Sequence, residues 1–187
     1  FNDVRVYSNV PAKDDNNFSR EETGKYRQIF YGLSLGAGTQ VGRFGNLIFE
    51  GRYQFDEVKN KENDPTTPYK TKIVSLRISS TIDTQDKYPF PESGVFFTGF
   101  YETAVSILGG EIGYSNLSFE YKNYFPLSSS SVISPKISFG FADKTLPLSE
   151  QYSLGGQESF YGMRDYEYRG RQIFLTSLAF PPQNNSL

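Results

Sequence analysis

The sequence predicts an all-β protein, and three observations select an antiparallel transmembrane β-barrel over a soluble sandwich. Apolar and polar residues alternate with period 2 through successive segments of about ten residues, near the length that a tilted barrel strand needs. The apolar face is rich in Phe and Tyr, with aromatics at 17% of the chain and all hydrophobic residues at only 37%. The opposite face carries Glu, Lys, Arg, Ser and Gly, which suits a wet lumen and would be costly in a dry core. Alternation alone is shared with soluble sandwiches, so these details of length and composition carry the choice.

The clearest strand runs from Asn46 to Phe55, where Leu47, Phe49, Gly51, Tyr53 and Phe55 share one face and Asn46, Glu50, Arg52 and Gln54 the other. The same split recurs at Tyr31, Leu33, Leu35 and Ala37 against Gly32, Ser34, Gly36 and Gly38, and at Val74, Leu76 and Ile78 against Ser75, Arg77 and Ser79. It continues through Val95, Phe97 and Tyr101, through Leu117, Phe119 and Tyr121 against Glu120 and Lys122, and through Ile137, Phe139 and Phe141 against Lys136, Ser138 and Gly140. With Val4 to Asn9 and Ile173 to Phe180 these make about eight strands. Link lengths alternate too. Asp56 to Tyr69 and Ala142 to Arg171 read as long outer loops, whereas Val41 to Phe44 and Phe125 to Ser131 read as short inner turns. Tyr7, Tyr88, Phe90, Tyr124 and Phe125 lie near strand ends and are expected to form aromatic girdles, since Trp is absent.

Composition excludes other classes. Nineteen basic and 21 acidic residues give a net charge of −2 without clustering, which argues against nucleic acid as a partner and against a polybasic membrane patch. With no cysteine, disulfides and thiolate metal sites are excluded. No apolar run approaches the roughly 18 residues of a spanning helix. The chain begins at Phe1 without a signal peptide, and is read as a fragment rather than a processed whole.

Three chemical motifs fail on context. Gly32, Ser34 and Gly36 spell the nucleophile elbow of serine hydrolases, but the motif lies inside an alternating strand, no helix follows and the chain has no His. Ser34 is therefore expected to be a lumen-facing strand residue. Glycines 36, 38 and 42 miss dinucleotide-loop spacing. Asp83 and Asp86 lack the regularly spaced oxygens of a calcium loop. No catalytic residue, cofactor or metal site is expected.

Two segments carry a family resemblance. Ile82 to Gly94, IDTQDKYPFPESG, holds Asp83, Asp86, Phe90, Pro91 and Gly94 in the order Asp-x-x-Asp, then aromatic-Pro-x-x-Gly. Pro91 fixes φ without a ladder donor, Gly94 frees φ, and the carboxylates can accept turn N–H groups. Downstream, YSLGGQESFYGMRDYEYRGRQ holds the pair Gly155 and Gly156, then Phe160, Tyr161 and Gly162. Together these resemble the turn signature and large outer loop of the bacterial surface-antigen and outer-membrane assembly-factor barrel superfamily. In that family the loop folds into the lumen on a hydrophobic-Arg-Gly-aromatic tetrad. Here Tyr161 stands at the arginine and Met163 at the aromatic, leaving Arg164, Arg169 or Arg171 to supply a guanidinium. Arg169 to Gln172 is most similar to the barrels that follow a patatin-like phospholipase domain.

The resemblance implies a partial, roughly eight-stranded segment of a sixteen-stranded outer-membrane barrel over residues 1–180 and a lumen-directed loop at about 142–171, while residues 181–187 depart from the family pattern and are read as an irregular tail. It also implies the three strands Gly94 to Ser106, Glu111 to Phe125 and Val132 to Phe141 before the large loop. In the lumen, Glu158, Arg164, Asp165, Glu167, Arg169 and Arg171 would pair with Glu50, Arg52 or Arg77. The implied role is a membrane anchor and protein translocation or insertion module in the outer membrane of a Gram-negative-type bacterium. Its partners would be outer-membrane lipid and unfolded or translocating polypeptide, with a lipid hydrolase attached outside this chain. The competing reading is a soluble all-β ligand-binding module, apolar inside and polar outside.

Overall fold

The computed structural model describes residues 2–11, 18–62, 68–128, 131–156, 160 and 162–180. Its strands are β1 (Asn2–Pro11), β2 (Phe18–Val41), β3 (Gly45–Glu62), β4 (Tyr69–Asp83), β5 (Gly94–Ala104), β6 (Tyr114–Ser128), β7 (Ser131–Ala142), β8 (Tyr152–Leu154), β9 (Tyr168–Gly170) and β10 (Gln172–Ala179). Eight of them form one antiparallel sheet in the order β1-β2-β3-β4-β5-β6-β7-β10, while β8 and β9 pair separately as a small hairpin. The fold is all-β, an up-and-down segment of a barrel wall that is not closed on itself.

Register explains why the alternation sorts so cleanly. Phe49 lies opposite Ile78, Ile78 opposite Tyr101, Tyr101 opposite Leu117 and Leu117 opposite Phe141, so one apolar row crosses five strands. All five side chains are exposed, and Leu35 on the same face is 75% exposed. The other face carries the row Arg77, Glu102, Asn116 and Ala142, of which the last three are buried. Apolar groups outside and polar groups inside is the reverse of the soluble-module reading, and is the arrangement lipid requires. Most of the buried apolar side chains among the described residues gather in two small clusters on the inner face: Ile73, Ala104, Tyr114, Ala142 and Leu146, and Val4, Tyr26 and Val58.

Several sequence expectations are corrected. Strands β2 and β3 have 24 and 18 residues, well beyond ten, and pair as a ladder from Lys25 opposite Glu62 to Val41 opposite Gly45. Asp56 to Glu62 is accordingly strand rather than loop, since β3 continues to Glu62, and β4 starts at Tyr69. Charged residues in its sequence conceal an extension whose backbone groups are still satisfied by pairing. Tyr7 does not reach an outer girdle. The register shifts between Val6 and Tyr7, so Tyr7 joins Val4 and Val6 on the inner face and is buried. Tyr124 shares the inner face with Lys122, two residues before it on β6. Tyr88, Phe90 and Phe125 are exposed.

Outward and inward positions should respond oppositely to charge. In reconstituted full-length protein, Leu47→Arg on the outer face is expected to cost about 2–4 kcal/mol near the bilayer midplane, less toward an interface. Ser79→Arg, on the lumen face, should cost far less. Urea unfolding in lipid vesicles measures both; equal costs would contradict the assignment of faces.

Candidate functional site

At one end of the sheet, the segment 143–171 leaves β7, turns inward and is seated on the lumen face. Asp143 begins the descent: its carboxylate accepts the Ser115 backbone N–H at 2.7 Å and the Thr145 hydroxyl at 2.6 Å. Leu146 then enters the first apolar cluster and Leu148 packs against the second. Residues Leu148–Glu150 form a single 3₁₀ turn, which aims Glu150 at the wall.

The wall meets it with charge. Arg52 on β3 donates to Glu150 Oε1 at 3.3 Å, and Gln54 Nε2 donates to the same oxygen at 3.1 Å. Arg52 is also paired with Glu102 on β5, whose side chain is completely buried. The other oxygen of Glu102 accepts Arg77 Nε at 2.6 Å, and Tyr114 donates its hydroxyl to Glu102 Oε1 at 2.7 Å. Arg77 in turn lies over the Phe100 ring at 4.4 Å. Two arginines therefore bracket one carboxylate, and the surplus positive charge is met by Glu150 from the loop. A buried carboxylate is tolerated only under such full pairing.

Further along, Tyr152 donates to Asn116 and to the Leu117 carbonyl, while its ring covers Gly140, where an added Cβ would lie 2.5 Å from Cζ. Arg169 on β9 donates to the Tyr26 hydroxyl and, at 3.2 Å, to the Leu148 carbonyl. Between the loop and strands β6, β7 and β10 a cleft of about 1020 Å³ remains, with Glu120, Lys122, Lys136 and Asp165 among its lining. Its Glu120 is shared by Lys136 at 2.8 Å and Lys122 at 3.2 Å.

The residues singled out from sequence fall into two places. Gly155 and Gly156 have φ of +130° and +83°, and Cβ atoms there would collide with Arg164 and Asp165, so the loop's two arms need glycine to pass. Phe160 pairs back to Gly156 and is exposed, and Gly162 has φ +92°. Tyr161 and Glu158 lie outside the described residues. Arg164 stacks 5.4 Å over Tyr7, and Arg171 donates to the Lys144 carbonyl at 3.2 Å.

At the opposite end, Asp83 accepts the Gln85 N–H at 3.0 Å, and Asp86 accepts those of Glu92 at 2.9 Å and Ser93 at 3.2 Å. Against a desolvation penalty, these N–H groups hold the Asp86 carboxyl below its ordinary value. Gly94, at φ +109°, closes against Thr84 and Gln85, while Pro91 sits half-buried in the turn.

Among the described residues, the ion pair between the loop and Arg52 is made by Glu150, whereas Arg164 of the charged cluster expected to meet Glu50, Arg52 or Arg77 lies over the Tyr7 ring. Glu102, Tyr114 and Glu150 were not read from sequence. Glu102 is an isolated carboxylate in a neutral strand, and only register places it beside Arg77. Ser34 stands opposite Arg52 in the middle of β2, with no helix after it.

A family model described as the Omp85 superfamily domain matches residues 2–178. No curated protein matches the chain. Among solved structures, the crystal structure of BamA from Haemophilus ducreyi lacking POTRA domains 1–3 matches with a TM-score of 0.66 and 18% identity, over 76% of this chain and 31% of that chain. The chain therefore spans less than a third of that protein's length.

Breaking the central cluster should be expensive. Glu102→Ala leaves Arg52 and Arg77 facing each other across the wall and is expected to lower unfolding free energy by about 3 kcal/mol, the smaller end for a broken buried pair because the lumen is wet. Gly140→Val should leave the wall intact but displace Tyr152, read as faster protease cleavage within 152–170.

Proposed function

The chain belongs to the Omp85 superfamily and is an outer-membrane protein of Gram-negative type, and from that premise we propose that it forms part of a barrel that inserts or translocates polypeptides, its lumen gated by the 143–171 loop. What carries this reading is the seat of the loop: one acidic turn bound to Arg52 and Gln54 of the wall, on the lumen face. Between its roots, where Asp143 donates to the Ser115 carbonyl and Arg171 accepts from Ala142, such a loop can leave and return while the eight-stranded ladder stays paired, which is what a gate needs and a permanent plug does not. The work is physical, with the wall satisfying its backbone groups in lipid and the loop controlling access. Tyr161 stands where the resemblance expects the tetrad arginine, and the proposed latch has its guanidinium, Arg52, on the wall and its carboxylate, Glu150, on the loop.

A bridge between Gln54→Cys and Glu150→Cys tests the gate. The full-length protein, assembled in vesicles, should lose client insertion or translocation when the pair is oxidised and recover it on reduction. Full activity in the bridged state would make the loop a static plug and the barrel an anchor.

The attached patatin-like lipid hydrolase is a finer proposal, supported by the resemblance of Arg169 to Gln172 to barrels of that type. It predicts phospholipid hydrolysis by the intact gene product, and an intact product without a hydrolase domain would remove it.

A further inference from the structure

Among the links at the loop end of the sheet, the one between β5 and β6 has the wrong composition for water. Residues 105–113 read Val-Ser-Ile-Leu-Gly-Gly-Glu-Ile-Gly, four apolar side chains, of which Ile112 packs against the inner cluster around Ile73, and a single charge, whereas the sequence between β3 and β4, Asn-Asp-Pro-Thr-Thr-Pro, contains no Val, Ile or Leu. The one carboxylate is turned back on the wall, where Glu111 Oε2 accepts the Lys72 backbone N–H at 2.9 Å. Ser106–Leu108 form a 3₁₀ turn that leaves Ile107 93% exposed and Leu108 53% exposed.

The height of this turn is fixed by backbone pairing. Val105 N–H donates to the Val74 carbonyl at 3.1 Å, and Glu111 N–H to the Lys72 carbonyl at 2.9 Å. Val74 lies on the outward face, directly above Leu76 and Ile78, so the turn sits on the rim of the apolar belt and is continuous with it. The other end of β5 gives an independent ruler. Its 11 residues match the about 9–11 that a tilted strand uses to cross hydrocarbon. Before it, the 84–93 turn presents Tyr88, 90% exposed, and Phe90, 46% exposed. One membrane thickness of strand therefore separates two exposed tips, aromatic at the inner interface and aliphatic at the outer.

We propose that the β5–β6 loop is a lipid anchor, with Ile107 and Leu108 inserted among outer-leaflet acyl chains just below the headgroups. Continuity with the belt selects lipid over a protein partner, because a protein covering the turn would also have to cover the belt beneath it. The inference depends on the barrel's residence in the membrane and not on its handling of polypeptides, so failure of the gate experiment leaves it standing.

The test uses depth-resolved fluorescence. Because this chain has no cysteine, Ile107→Cys and Leu108→Cys can be labelled singly with an environment-sensitive dye in full-length protein, otherwise cysteine-free, reconstituted at low density in phosphatidylcholine–phosphatidylglycerol vesicles. Lys59→Cys on the β3 extension reports water, and Leu47→Cys reports the bilayer interior. Positions 107 and 108 should emit to the blue of Lys59, resist iodide, and be quenched several-fold more by headgroup-level nitroxide lipids than Lys59 is. Emission and iodide quenching equal to those at Lys59 would overturn the proposal. So would protection that appears only at high protein density, which would assign the turn to contact between copies.

Discussion

Hydrocarbon offers no water to an unpaired peptide group, and the rest of this structure follows from that requirement. A spanning chain without an apolar helix can meet it only by strand-to-strand pairing, so the eight strands pair in an up-and-down ladder. Pairing fixes register, and register sorts side chains by parity: the Phe49 to Phe141 row meets lipid and the Arg77 to Ala142 row meets the lumen. The outer edges of β1 and β10 need partners by the same logic, which accords with a chain that covers less than a third of the BamA chain it resembles.

A wet lumen permits what a dry core would not. Glu102 lies fully buried between Arg52 and Arg77, and each of its oxygens is claimed by a donor. The arrangement leaves Arg52 with a second valence directed away from the wall, and Glu150 fills it. A loop that supplied another arginine at that point would meet repulsion.

Legibility in the sequence tracks the range of the interaction. Parity is local, so the outward positions of Leu35, Phe49 and Phe141 could be read from spacing alone, and the eight strands with them. Tyr7 could not, because the shift beside Val6 inverts parity and leaves no mark in residue type. The extensions of β2 and β3 were hidden for a different reason. Above the bilayer both faces of a hairpin tolerate charge, so the period-2 signal vanishes while the ladder continues. The seat of the loop was the least legible, since Arg52 and Glu150 are 98 positions apart and only the assembled register brings them together.

The same hierarchy governs which part can move. Strand ladders are continuous and mutually supporting, so opening the wall would strand many peptide groups at once in lipid. The loop is held by two apolar side chains, Leu146 and Leu148, by Glu150 on Arg52 and Gln54, and by Arg169 and Tyr152 on wall hydroxyl, amide and carbonyl oxygens. Most of those polar contacts can be exchanged for lumen water at little net cost. Stability is therefore uneven by construction, high in the wall and low in the loop. That division arises because the wall's hydrogen bonds have no alternative partner in hydrocarbon, whereas the loop's have one in lumen water.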